Sequence, residues 1–237
     1  MTDPQPRSID LNADLGEGAP HDAELMDRIT SASISCGAHA GDRTTILATL
    51  RLAKARGVCV GAHPGYADRE AFGRRKRDAT AAEVERMILD QVRDLEGLAA
   101  AVGLTLRFLK PHGALYNQAQ RQPEIARGVL AAAASLQLPV LGQPGCLLHT
   151  EAAPRGIRYL TEGFADRRYR SDGGLVPRDD PNALLHDPVE VEAQVVRLVD
   201  EGIDTLCLHG DDPRAVGNAD ALRAILQRHR ITPKGAF

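Results

Sequence analysis

Short β-branched runs alternate with longer amphipathic segments along this chain, and that alternation leaves few ways to fold. Seven runs read as strands: SIDLN (8–12), SASISC (31–36), VCVGA (58–62), LRFLK (106–110), PVLGQ (139–143), IRYLTEG (157–163) and TLCLHG (205–210). Each is brief, aliphatic or β-branched, and bounded by Gly, Pro or polar turns, as strands covered on both faces are. Helical periods lie between them. Residues 44–56 carry Ile46, Leu47, Leu50 and Ala53 on one face, and 80–102 opens with the capping-box sequence Thr80-Ala-Ala-Glu83. Residues 189–200 repeat Val191, Val195, Leu198 and Val199, and 213–229 follows Asp212-Pro213, an N-cap with proline at the first helical position. Strand–helix alternation from end to end predicts a parallel sheet with helices outside it. No linker divides residues 1–237, so the reading is one α/β domain, a parallel β/α barrel of seven strands. A doubly wound open sheet is the alternative, because pattern alone does not fix closure.

Composition excludes several classes. Hydrophobic residues make up 43% of the 237 residues and charged residues 26%, and the net charge is −3, which favours neither nucleic acid nor an anionic membrane. No uncharged apolar run reaches about 18 residues, and the first residues do not resemble a signal peptide. Cys36, Cys59, Cys146 and Cys207 form no Cys-x-x-Cys pair, so reduced thiols in a cytoplasmic protein are expected.

Active sites of parallel β/α folds form where strands end. Strand one ends in Asp10, Asn12 and Asp14, with Glu17 just beyond. Strand two ends in Cys36, His39 and Asp42, strand three in His63, and strand four runs into Lys110 and His112. Glu162 and Asp166 lie at strand six, and His209, Asp211 and Asp212 at strand seven. Histidine and carboxylates serve general acid–base chemistry, and Lys110 could polarise a carbonyl or hold a carboxylate, so amide hydrolysis fits the set. Asp10 and Asn12, two apart, share the interior face, where an unpaired carboxylate is costly. Cys36 weighs more as a small core residue than as a nucleophile, and His21, His149, His186 and His229 read as surface. Two long connections, 63–79 and 164–187, carry basic runs (Arg69, Arg74, Arg75, Lys76 and Arg77; Arg167, Arg168, Arg170 and Arg178) that are either solvated surface or anion-binding lids.

DLNADLGEG (10–18), ISCGAHAGD (34–42), GAHPGYADREAFGRR (61–75), LKPHGALYN (109–117), FADRRYRSDGGLVPR (164–178) and CLHGDDPRAV (207–216) resemble, in the same order, the LamB/YcsF family of 5-oxoprolinase A subunits. The resemblance covers nearly the whole chain. It implies a seven-stranded barrel of the glycoside hydrolase/deacetylase kind. It also implies ATP-dependent hydrolytic opening of the lactam 5-oxo-L-proline to L-glutamate with separate B and C subunits, ATP being consumed by the complex. The implied catalytic residues are Asp10, Asp14, His39, His63, Lys110 and His112; Asn12, Glu17, Arg75, Arg167, His209 and Asp211 would bind the small anionic lactam. A divalent metal is left open, with Asp14, His39, His63 and His112 as candidate ligands, and so is a homo-oligomer. Ala38 stands where the family has an aromatic residue, and the chain is shorter than usual between Val199 and Thr205.

Two other functions compete. A stand-alone metal-dependent deacetylase would be expected to carry a His-x-x-x-His pair, and no two histidines here are four apart. A non-catalytic subunit could instead present a ligand to catalytic partners. The four lysines (54, 76, 110 and 234) follow no glycine, and no Gly-x-Gly-x-x-Gly run occurs, so neither common phosphate-binding signature marks a nucleotide site here.

Overall fold

The computed structural model describes residues 7–177, 180–210 and 213–237, apart from the His209 side chain. In chain order the elements are β1 (Arg7–Leu15), α1 (Asp22–Met26), β2 (Ser31–Ser35), α2 (Arg43–Arg56), β3 (Cys59–His63), α3 (Ala81–Ala101), α4 (Gly113–Ala119) and α5 (Pro123–Leu136). They continue with β4 (Val140–Gly142), α6 (Leu147–Ala152), β5 (Tyr159–Phe164), α7 (Pro188–Asp200), β6 (Thr205–His209), α8 (Ala215–Arg228) and β7 (Ile231–Pro233). The strands run in the order β3-β2-β1-β6-β5-β4, all parallel.

The 106–110 run closes this sheet into a ring. Leu109 bridges Ala62 of β3 on one side and Val140 of β4 on the other. The Ala62 amide donates to the Phe108 carbonyl at 2.8 Å, the Lys110 amide to the Ala62 carbonyl at 2.9 Å, and the Leu141 amide to the Leu109 carbonyl at 2.9 Å. Pro111, which has no amide hydrogen, ends the run. Seven strand segments thus surround one interior, and the expectation of a barrel over an open sheet holds. One strand was not expected: β7 pairs with Arg7–Ile9 at the start of β1, outside the ring. Its three residues are too few to show alternation.

The helices follow local signals. Thr80 and Glu83 form the reciprocal capping box at α3, and Asp42 caps α2 through the Thr45 amide at 2.8 Å. Asp42 is therefore spent on a helix end rather than on the site. The helix expected from Pro213 begins at Ala215, and its expected cap Asp212 lies outside the described residues.

Period-two alternation sorts the barrel into two faces. Leu11, Ala13, Leu15, Ile34, Val60 and Leu206 point outward into the apolar layer under the helices. Inward residues change character with height. At the bottom Phe108, Leu141 and Leu160 form an apolar plug, on which Phe237 stacks with ring centroids 4.3 Å apart. Gly61 is obligatory beside it, because a Cβ there would lie 2.3 Å from the Phe108 ring. Above the plug the interior is polar.

The plug predicts where stability resides away from the site. Phe237→Ala should cost about 1–2 kcal/mol from lost apolar burial and ring stacking. Urea unfolding measures this, and the polar interior should keep its ligand affinity.

Candidate active site

Lys110 organises the middle of the barrel. Its Nζ lies 2.6 Å from Glu162 Oε1, 2.8 Å from Asp14 Oδ1, 3.1 Å from Asn12 Oδ1 and 3.1 Å from Cys207 Sγ. Asn12, Asp14 and Cys207 accept the three N–H bonds of the ammonium, and the Glu162 carboxylate stands against it as an ion pair. Burial works against the charge, but Asp14, Cys207 and Glu162 outweigh it and raise the lysine well above its ordinary value. Burial likewise works against the Asp14 carboxylate, yet His63 and Lys110 hold it well below the usual carboxylate range. Lys110 is committed to the barrel and has no donor left for a substrate carboxylate.

Above Lys110, three histidines and Glu17 converge. One ligand atom each from Glu17, His39, His63 and His112 lies within 4.8 Å of the others. The tautomers are fixed from behind. The Lys110 carbonyl accepts from His63 Nδ1 at 2.8 Å, and the Phe72 carbonyl accepts from His112 Nε2 at 2.8 Å. A carbonyl only accepts, so both neutral rings turn lone pairs toward the centre. His63 Nε2 and His112 Nδ1 meet there at 2.9 Å. Glu17 Oε1 is 3.0 Å from His39 Nε2 and 3.4 Å from His112 Nδ1, and Asp14 Oδ2 is 3.4 Å from His63 Nε2. Two lone pairs cannot face each other unmediated, so either a proton or a cation sits between them.

The protonation pattern is asymmetric. Burial disfavours charge on His63, but the Asp14 carboxylate overcomes it and raises the imidazole. Burial and the neighbouring His63 push His112 well down, and burial pushes His39 to about 3. With no cation, His63 carries the proton and donates to neutral His112. Three nitrogens with carboxylates at this spacing also fit a divalent first-row metal such as zinc.

The 63–79 connection builds the roof. His39 and His112 stack with centroids 3.8 Å apart, and the Phe72 ring stands edge-on to both. Gly65 and Gly73 (φ +65°) admit the stack, since a Cβ on either would come within 2.9 Å of His39. Arg69 ties the connection to the Gly37 and Gly41 carbonyls at 2.6 and 2.7 Å.

The structure brings Asn12, Asp14, Glu17, His39, His63, Lys110 and His112 together. It sets Asp10 apart: four residues before Asp14, it lies about 13 Å lower along the strand. Asp10 accepts from Thr30 at 2.6 Å, Ser31 at 2.7 Å and Thr205 at 2.5 Å, so hydroxyls on and beside the neighbouring strands, not a ligand, metal or lysine, partner this carboxylate. Arg75 also falls outside the cluster; it is mostly exposed and pairs with Asp68 and Glu70. Arg167 is buried and donates to the Val176 carbonyl at 2.7 Å, inside the second long connection. The His209 side chain, Asp211 and Arg178 lie outside the described residues. Burial pushes the Cys36 thiol to about 12, which removes it as a nucleophile. His149 is half-buried, stacked on Tyr159, and accepts from the Gly145 amide. Sequence reasoning missed the Phe72 carbonyl that orients His112, and a backbone group leaves no mark in a sequence.

A closed parallel barrel with a histidine–carboxylate cluster at the carboxyl ends of its strands defines a class of β/α-barrel proteins with hydrolase-type sites. Within it, the LamB/YcsF family model matches residues 9–236, and this chain belongs to that family. Similar proteins include the 5-oxoprolinase A subunit of Paracidovorax citrulli, 45% identical, with 94% of this chain and 97% of the relative aligned. The protein of the same name from Pyrococcus furiosus is 39% identical over 97% of this chain and 98% of the relative. Among solved structures, the lactam utilization protein from Thermus thermophilus superposes with a TM-score of 0.89 at 38% identity, covering 97% of this chain and all of that one. A family 4 carbohydrate esterase from Streptomyces lividans, at 12% identity and a TM-score of 0.56 over 98% of this chain and 93% of the esterase, shares the fold.

Two outcomes follow from this geometry. Zinc at 100 times its dissociation constant should stabilise the chain by about 2.7 kcal/mol, and His63→Ala should abolish the gain in a thermal-shift titration. Burial raises the Asp10 carboxyl despite its three hydroxyl donors, so folding favours its protonated form. That contribution is fullest below about pH 4 and is lost as pH rises through the raised value. Urea midpoints should therefore favour Asp10→Asn over the unsubstituted chain more strongly at pH 7 than at pH 4.

Proposed function

We propose that this chain is the A component of an ATP-dependent 5-oxoprolinase, a cytoplasmic hydrolase that opens 5-oxo-L-proline to L-glutamate with B and C subunits. The observation that carries the reading is the converging His63 and His112 lone pairs beside Asp14 and Glu17, in a chain whose near full-length relatives are named as 5-oxoprolinase A subunits. The name of the Thermus thermophilus protein, lactam utilization, points to the same ring amide.

In this reading water attacks the lactam carbonyl at the barrel mouth. Neutral His112 takes the proton at Nδ1 while His63, protonated beside Asp14, donates to the carbonyl oxygen; the ring C–N bond then breaks as His112 returns the proton to the leaving nitrogen. Neutral His112 and His39, stacked over the site, hold the water and exclude bulk solvent. Asp10 and Lys110 touch no reacting atom; Lys110 keeps Asp14 ionised.

Opening an unstrained five-membered lactam releases little free energy, so ATP is consumed by the assembly. The chain carries neither common nucleotide-binding signature, and the nucleotide belongs to its partners. The intact lactam binds in the barrel, and phosphorylation by the assembly then activates it for attack. The isolated chain should neither hydrolyse ATP nor release glutamate, and both activities should emerge with B and C. In that complex His112→Ala should lower kcat about 100-fold or more. Unimpaired glutamate release would remove His112 from the mechanism, and full turnover by the isolated chain would remove the partner requirement.

One observation favours a second reading, a metal-dependent amide hydrolase. The lone pairs that accept a proton are the ones that would hold a divalent cation, through His63, His112 and Glu17 with His39 or Asp14 beside them. Bound there, a metal supplies Lewis acidity toward the lactam carbonyl. Proton and metal compete for His63, so elemental analysis and loss of activity on chelation separate the readings.

A further inference from the structure

Gln143 and Glu162 bury polar atoms for which the histidine cluster has no use. Gly142 pairs with Thr161 across β4 and β5, so the next residues, Gln143 and Glu162, stand side by side about 5 Å apart. Both face inward. Leu141, two residues before Gln143, packs in the interior plug, and Glu162 reaches Lys110. Gln143 is 7% exposed and Glu162 is fully buried, yet Gln143 Nε2 and Glu162 Oε2 have no hydrogen-bond partner among the described residues. The Tyr116 hydroxyl is buried beside Glu162, and burial and that carboxylate raise its pKa, although no partner meets it with good hydrogen-bond geometry among the described residues.

A buried donor or acceptor left unmet bears the full cost of its desolvation. An amide N–H donor and a carboxylate acceptor side by side on one wall ask for a ligand with an acceptor and a donor on one edge. A trans amide turns its C=O and N–H to opposite sides and cannot satisfy both. A cis amide presents them together, and a five-membered lactam ring enforces the cis form. We propose that Gln143 and Glu162 read the cis-amide edge of the substrate, Gln143 Nε2 donating to the ring carbonyl and Glu162 Oε2 accepting from the ring N–H. This rests on the lactam reading above and names the residues that give it selectivity.

The position suits that role. Lys110 Nζ touches both Glu162 and Asp14, so the amide-reading wall and the histidine cluster lie on either side of one ammonium. Lys110 also offsets the Glu162 charge, which would otherwise repel an anionic ligand. Beside the wall, in the connection after β5, the Tyr169 hydroxyl accepts from the Phe164 amide at 2.8 Å.

The test compares ligands and variants by calorimetry, on the chain alone and with B and C. The probes are 5-oxo-L-proline and the corresponding five-membered lactone acid, which keeps the ring carbonyl and carboxylate but lacks the N–H. The lactone should bind the unsubstituted protein about tenfold more weakly, the worth of one buried hydrogen bond. Gln143→Met, which keeps the volume and removes the amide, should weaken lactam binding about tenfold while leaving the melting temperature equal or higher. A purely structural glutamine would instead lower the melting temperature. Equal lactam affinity in Gln143→Met would overturn the proposal, because water alone would then fill these positions. Equal binding of lactone and lactam would overturn the Glu162 role, and that comparison stands even if the variant does not fold. Failure of the unsubstituted protein to bind 5-oxo-L-proline in either setting would overturn the lactam reading itself, a different outcome from the other two.

Discussion

One buried ammonium holds the upper barrel together. Lys110 draws Asn12 and Asp14 from β1 and Glu162 from β5 to a single point. Separating a buried charge from its partners costs several kcal/mol, so these strands are bound to one another through the interior as well as through their backbone ladders. The chemistry above inherits this arrangement. Asp14 is kept ionised by Lys110 and in turn favours protonation of His63, which then donates to a neutral His112. A change at Lys110 would reach the histidines without touching them.

The barrel separates two tasks by height. The lower interior is closed by Phe108, Leu141, Leu160 and Phe237, a dry plug that contributes ordinary hydrophobic stability. Just above it, Asp10 knits β1, β2 and β6 through hydroxyls of Ser31 and Thr205. The upper interior gives up apolar packing for charged and hydrogen-bonding groups, several of them unmet among the described residues. Such a concentration of unsatisfied polarity is the mark of a place where something else completes the network.

Much of this was legible in the sequence because two periods govern it. Period two in DLNADL put Asp10, Asn12 and Asp14 on one face and Leu11, Ala13 and Leu15 on the other, and the structure keeps that division. Strand–helix alternation and the capping box at Thr80 fixed where elements begin, since those signals act within a few residues. The histidines at strand ends were legible for the same reason: a strand that stops at the barrel rim delivers the next side chain to the mouth.

Height along a strand and pairing across the ring were not legible. Asp10 and Asp14 look alike in the sequence, but four residues of rise place one on structural hydroxyls and the other among histidines. Lys110 read as a substrate ligand until neighbours 96 and 98 residues away took up its donors. Ring closure depends on Leu109 meeting Ala62 and Val140, a pairing with no local signature. The amino-acid sequence by itself determined which residues face inward and which elements carry them, because alternation and capping are local. Only the tertiary structure decided which inward residues share a layer, because register around a closed sheet is set by all its strands at once.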